Sequence, residues 1–107
     1  MTTFDKREEA FEKQFVIDEE LKFKAAARRN RLLGLWTAGK LGLAGPEADS
    51  YARAVVAAEF DEGGDNAVVG KVIRDLSAKG VNLGEDEVRA HMDQLMAQAV
   101  AQVKAGL

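Results

Sequence analysis

Apolar residues recur at helical spacing along four stretches of the chain, and the first stretch is the longest. Its apolar positions lie three, four or seven residues apart: Leu21, Ala25, Leu32, Leu35, Trp36, Gly39 and Leu43. A period near 3.6 is typical of an amphipathic helix. Glycines accumulate after Lys40, so the pattern predicts a helix over residues 18–42, with Asn30 and Gly34 as its weak points. A helix this long is expected to be the one against which the others pack.

Three shorter stretches follow, each bounded by turn residues. Pro46 suits the first position of a second helix over residues 46–61, whose predicted buried face extends to Phe60. Two further helices are predicted over residues 66–79 and 85–105. The predicted apolar face of the first is Val68, Val69, Val72, Ile73 and Leu76, and that of the second is Val88, Met92, Leu95, Ala99 and Val103. The predicted fold is therefore an all-α four-helix bundle without strands. Its predicted core is Leu32, Trp36, Val55, Val72, Leu95 and Val103.

The first 17 residues form a different kind of segment. Phe4, Phe11 and Phe15 make one narrow stripe in an otherwise charged sequence. An isolated helix of this length is marginal in water, so residues 1–17 are predicted to be a mobile N-terminal arm. Two interpretations of the three rings stay open: they pack on the bundle, or they bind a groove on a partner.

Charge is distributed in blocks, although the net charge of the chain is only −3. Residues 1–20 carry a net charge of −4, residues 21–46 carry +6 and residues 47–107 carry −5. Within the basic block, Arg28 and Arg31 share a helix face, whereas Arg29 and Asn30 are expected to point away from it. This cluster is interpreted either as surface charge or as a phosphate-binding group. Nucleic acid is disfavoured because the pI is about 5.2 and the basic patch is short.

No catalytic or metal-binding pattern emerges. The chain has no cysteine and a single histidine, His91, which is interpreted as a boundary residue of the fourth helix. The segment Gly34–Leu41 approaches the phosphate-loop pattern, but Leu41 replaces the hydroxyl residue and no strand precedes it. A non-enzyme without a cofactor is predicted. No apolar run approaches the ~18 residues of a membrane span, and a cytoplasmic location is expected.

Several phrases of the sequence resemble one known family. They are Met1-Thr-Thr-Phe4-Asp5, the stretch from Lys22 to Gly34, Trp36-Thr-Ala-Gly39, and Val69-Gly-Lys-Val72 with Asp75-Leu76. The family is the zeta subunit of alphaproteobacterial rotary ATP synthases, and the similarity extends over the whole chain. It implies a four-helix bundle with a mobile arm that inhibits ATP hydrolysis by the catalytic head of the synthase. It also implies ADP or ATP as a regulatory ligand.

Two sites are predicted on this chain: the arm follows from the phenylalanine stripe together with the resemblance, and the nucleotide site follows from the basic end of the long helix. The arm is expected to bind the partner through five residues: Phe4, Asp5, Arg7, Phe11 and Phe15. The expected nucleotide-binding residues are Lys24, Arg28, Arg31 and Trp36. The predicted partner is the catalytic head, which would hold the chain at the inner membrane without insertion; the free protein is expected to be monomeric. The alternative is a small helical adaptor that binds nucleotide or nucleic acid and has no connection to the ATPase.

Overall fold

Four α-helices make up the fold. A computed structural model of the chain describes the backbone of residues 2–107 and the side chains of residues 19–107. The helices are α1 (Thr2–Lys40), α2 (Pro46–Ala58), α3 (Asp65–Ala78) and α4 (Glu85–Lys104), and no strand occurs in the described backbone. The all-α four-helix prediction is confirmed. The predicted bounds of the first helix differ from these, since α1 begins at Thr2 and not at residue 18, and its backbone includes the predicted arm. The division into an arm and a bundle stays a prediction, because the arm's side chains lie outside the described residues.

Local chemistry explains where the helices end and begin. After α1, Gly42 adopts a positive φ of 78°, and the Leu43 amide donates to the Ala38 carbonyl at 2.9 Å. This is the pattern of a Schellman cap, in which glycine takes the left-handed conformation without steric cost. Pro46 occupies the start of α2, where its missing N–H is not needed. Three acids in the first turn of α4 match the positive end of its dipole.

The long helix α1 is central, as its length predicted, and it contacts each of the other three helices. Small residues let α2 approach it closely. A Cβ atom built on Gly34 would lie 2.5 Å from the Cα of Ala52 and 3.3 Å from the Cβ of Val55. Gly34 is therefore a packing residue in the α1–α2 interface and not a weak point of the helix.

The core is apolar and draws on all four helices. Its buried members are Leu33, Val55, Ala58, Val68, Val69, Val72, Leu76, Val88, Met92 and Leu95. Of the predicted core, Val55, Val72 and Leu95 are buried, whereas Leu32 and Trp36 are half-buried at its edge and Val103 lies in a surface groove. The faces of α3 and α4 were thus predicted well. The face of α1 was predicted about one residue out of register.

Two expectations about buried faces were wrong for identifiable reasons. In α1 the most buried positions are Ala25, Arg29, Asn30, Leu33, Gly34, Thr37 and Ala38, which include polar residues that a hydrophobicity pattern ignores. Phe60 was placed on the buried face of α2, but α2 ends at Ala58 and the next amides bond three residues back, in a tighter turn. That change of geometry directs Phe60 outward, and it is 76% exposed.

Candidate functional site

A buried ionic cluster joins the middle of α1 to the turn between α2 and α3. Arg29 Nη2 donates to Asp65 Oδ1 at 2.8 Å and lies 3.7 Å from Glu59 Oε2. Asn30, which is fully buried, accepts from Arg29 Nε at 3.0 Å and donates to Glu59 at 3.2 Å. Arg29 and Asn30 thus lie away from the face that carries Arg28 and Arg31, and both are buried. Their burial is tolerated because none of their buried side-chain polar atoms lacks a hydrogen-bond partner.

The charges of this Arg29 cluster stabilise the contact between α1 and the α2–α3 turn. Burial raises the pKa of Glu59, and the neighbouring Asp65 carboxylate raises it further. A hydrogen bond with Glu59 lowers the pKa of Asp65, and the Arg29 guanidinium also lowers it. The buried cation is therefore matched by Asp65 at neutral pH. The cluster fixes α1 against the turn and does not offer a free positive charge to a ligand.

A basic groove lies on another side of α1. It has a volume of about 580 Å³, and its cationic residues are Lys24, Arg28 and Arg31. Phe23, Val56 and Val103 contribute apolar surface to the same groove. The structure thus brings together three of the four predicted nucleotide-binding residues, next to apolar side chains. Such a combination suits a ligand or partner that carries both negative charge and apolar surface.

The three cations of the groove differ in how they are held. Arg28 donates to Gln102 Oε1 at 3.2 Å and to the backbone oxygen of Leu107 at 2.7 Å. Lys24 forms an exposed pair with Glu20 at 3.3 Å. Arg31 is exposed, and no hydrogen bond or ion pair joins it to another side chain in residues 19–107. Arg28 therefore has a fixed position, whereas Arg31 is available to an incoming anion.

Trp36, the fourth predicted nucleotide-binding residue, does not line this groove. Its ring lies 4.1 Å from the ring of His91, at an angle of 30°, and Lys40 Nζ lies 4.9 Å from its centre. His91 is half-buried, as a boundary residue should be, and its Nε2 atom has no hydrogen-bond partner. Burial lowers the pKa of His91, and the charge of Lys40 lowers it further. The Trp36 contact is thus an interhelical one between α1 and α4.

A smaller apolar pocket of about 120 Å³ adjoins the basic groove and shares Phe23, Ala27 and Val56 with it. Its other end is formed by Phe60 together with Asn30 and Glu59 of the Arg29 cluster. Phe23 is 67% exposed, which is unusual for an aromatic residue on a helix packed on two sides.

Other kinds of site find no support in the described part of the chain. Residues 19–107 contain no group of three or more side chains placed to hold a metal ion. Among the described helices, none has a stretch long and apolar enough to cross a bilayer. The side chains of Phe4, Asp5, Arg7, Phe11 and Phe15, predicted to bind the partner, lie outside the described residues.

The family model described as ATPase inhibitor subunit zeta matches residues 1–102 of the chain. The chain belongs to this family. The match includes both the predicted arm and the bundle. It also agrees with the resemblance carried by the Lys22–Gly34 stretch.

A relative of this zeta-family chain has a solution NMR structure. The two sequences are 49% identical, the alignment covers 81% of this chain and 99% of the other, and the TM-score is 0.70. A search of curated proteins gave no match. The solved relative therefore supports the helical fold described above.

Sequence reasoning missed two features of this zeta-family bundle: the Arg29 cluster and the exposed Phe23–Phe60 pair. The sequence holds a weak signal for the cluster. Glu59 and Asp65 flank the Gly63–Gly64 turn, and two neighbouring carboxylates favour a cationic side chain from another helix. Which of the neighbouring arginines pairs with these carboxylates depends on how α1 is rotated about its axis. Apolar spacing alone predicted that rotation about one residue out of register. The exposed pair had no signal, because Phe60 fits the helical period of α2.

Proposed function

We propose that the chain inhibits ATP hydrolysis by the catalytic head of the rotary ATP synthase through its N-terminal arm. The observation that carries the proposal is the family match, which begins at residue 1 and so includes the arm. Membership favours this function over the adaptor alternative. The protein then acts as a non-catalytic regulator, monomeric when free, on the cytoplasmic side of the membrane that holds the synthase.

The division of labour follows from the physics of the two parts. The core described above already joins four helices, so the bundle has its own source of stability. The arm has three phenylalanines among many charges and is too short for a stable isolated helix. Folding on the partner would bury the rings and offset the ordering entropy only there. The bundle holds the arm near its target at high effective concentration.

Deletion of residues 1–18 tests the proposal. The truncated protein should keep its helical signal and its melting temperature nearly unchanged, and should no longer inhibit hydrolysis by the purified catalytic head. Circular dichroism and a coupled ATPase assay measure the two properties. The full-length variant with Phe11→Ala and Phe15→Ala should lose part of the inhibition. Full-strength inhibition by the truncated protein would contradict the assignment of the arm as effector.

We also propose that ADP or ATP binds in the basic groove as a regulatory ligand. The grouping of Lys24, Arg28 and Arg31 beside apolar surface supports it. Arg31 would donate charge-assisted hydrogen bonds to phosphate oxygens, and Phe23 would replace Trp36 as the aromatic contact of the base. Titration of the labelled protein with ADP should shift the amide signals around residues 23–31. Shifts centred on Trp36 and His91 would move the site, and none at millimolar ADP would remove it.

A further inference from the structure

Large exposed apolar side chains are concentrated on one face of the bundle. Within residues 19–107 they are Phe23, Phe60 and Leu107, with exposed fractions of 67%, 76% and 76%. Phe23 and Leu107 line the basic groove, and Phe23 and Phe60 line the adjoining pocket. Isolated exposed apolar residues need no explanation, but a contiguous group rimmed by charge marks a contact surface.

The charge on this face has one dominant sign. The two adjoining cavities have three cationic residues, Lys24, Arg28 and Arg31, and one carboxylate, Glu59, which is already bonded to Asn30. The chain as a whole carries a net charge of −3, so the positive charge of this face is opposite in sign to the net charge of the protein. Two copies joined through it would place like charges near each other, which disfavours self-association. An acidic partner with apolar residues is complementary to it in both respects.

We propose that this face, formed by Phe23, Ala27, Val56 and Phe60 with Lys24, Arg28 and Arg31 on its rim, docks on an acidic, apolar segment of the catalytic head. The proposal rests on the proposed function and names the second contact that the bundle makes with the same partner. Because Phe23 and Arg31 also line the proposed nucleotide site, bound ADP or ATP would compete with this contact. Phe23 lies six residues beyond the arm, about 9 Å along a helix, so one partner surface can engage both. Engagement at two points raises the avidity beyond that of the arm alone.

The anchoring of the face supports this role. Phe23, Ala27 and Val56 belong to α1 and α2, which meet at the close Gly34–Ala52 contact. The turn that bears Phe60 is tied to α1 through Glu59 and the Arg29 cluster. The two aromatic side chains are therefore presented from positions fixed before binding, which reduces the entropy lost on association. The Arg29 cluster in this way positions a docking surface.

Inhibition of the purified catalytic head by full-length variants tests the docking face. Phe60→Ser removes a central contact residue, and Arg31→Glu turns attraction at the rim into repulsion, so each should raise the protein concentration for half-inhibition by about tenfold. Phe60→Leu, which keeps apolar surface at this position, should inhibit at a concentration close to that of the wild type. Lys79→Glu is the matched charge control, because Lys79 follows α3 and lines neither cavity, and it should shift the value less than about twofold. Unchanged melting temperatures would show that all variants fold.

Two further readouts separate the possible failures. Added salt should weaken inhibition by the wild type more steeply than inhibition by Arg31→Glu, because the rim attraction is screened. If Phe60→Ser and Arg31→Glu inhibit like the wild type while the Phe11→Ala, Phe15→Ala variant does not, the docking face is refuted and the arm mechanism stands. If the arm variant also inhibits fully, the docking face and the arm mechanism are both refuted, and if the wild type does not inhibit, the proposed function fails. If sedimentation shows a wild-type dimer that Phe60→Ser dissociates, the face binds a second copy and the proposal is overturned.

Discussion

The close contact between α1 and α2 at Gly34 offers a sharp test of the packing. Replacing Gly34 with Ala would place a Cβ atom 2.5 Å from Ala52 Cα and 3.1 Å from Ala52 Cβ. Carbon atoms prefer separations of about 3.5–4.0 Å, so the two helices must move apart by roughly 1 Å. Such overpacking costs about 1–3 kcal/mol, and the better helix propensity of Ala offsets up to about 1 kcal/mol of it.

With the full offset, the expected net loss for Gly34→Ala is therefore up to about 2 kcal/mol, or a fall in melting temperature of up to roughly 16 °C for a domain of this size. Gly39→Ala is the matched control, since it lies in the same helix and its added Cβ would have nothing within 4 Å. That variant should be more stable than the wild type by up to about 1 kcal/mol. Thermal melts followed by circular dichroism measure both changes.

The opposite signs expected for these two substitutions make the outcome decisive. If Gly34→Ala were stabilising to the same degree as Gly39→Ala, the close approach of α1 and α2 would be wrong. Adding Ala52→Gly should not rescue Gly34→Ala, because the nearest atom is the Ala52 Cα and glycine keeps it. Full rescue would mean that the contact is between side chains only.

Two other predictions concern the polar interior. Arg29→Ala should lower the free energy of unfolding by about 2–4 kcal/mol, because it leaves Asn30 and two carboxylates without their shared partner; the estimate is reduced for the exposure of Asp65. Lys24→Ala, which removes only an exposed pair, should change urea unfolding by less than about 0.5 kcal/mol, and equal effects would contradict the burial of Arg29. His91 has a pKa below its ordinary value of 6.5, so the folded state disfavours its protonation. Its contribution to stability is complete above pH 6.5 and is lost as the pH falls from there through the folded pKa. His91→Gln should flatten this part of the stability–pH curve in melts between pH 7.5 and 5, and an unchanged slope would exclude His91 as its source.

Much of the architecture follows from sequence alone because its determinants are local. The spacing of Val68, Val72 and Leu76, or of Val88, Met92 and Leu95, fixes which side of α3 and α4 is buried, and both faces agree with the structure. Gly42 and Pro46 fix the end of one helix and the start of the next. The same local information gives the basic block from which Lys24, Arg28 and Arg31 come together in one groove, since residues three or four apart share a helix face.

The tertiary structure alone decided the rotation of α1 and the fate of its polar residues. A central helix that contacts three neighbours has no single apolar side. In α1, Gly34 therefore packs against α2, and Leu32 and Trp36 lie at the edge of the core. Whether Arg29 and Asn30 can be buried depends on Asp65 and Glu59, which lie 36 and 29 positions away in sequence. Phe60 is exposed because α2 ends two residues earlier. The turn that follows α2, which Glu59 links to Arg29, sets that end point. Periodicity is a property of one helix, whereas these outcomes are properties of contacts between helices.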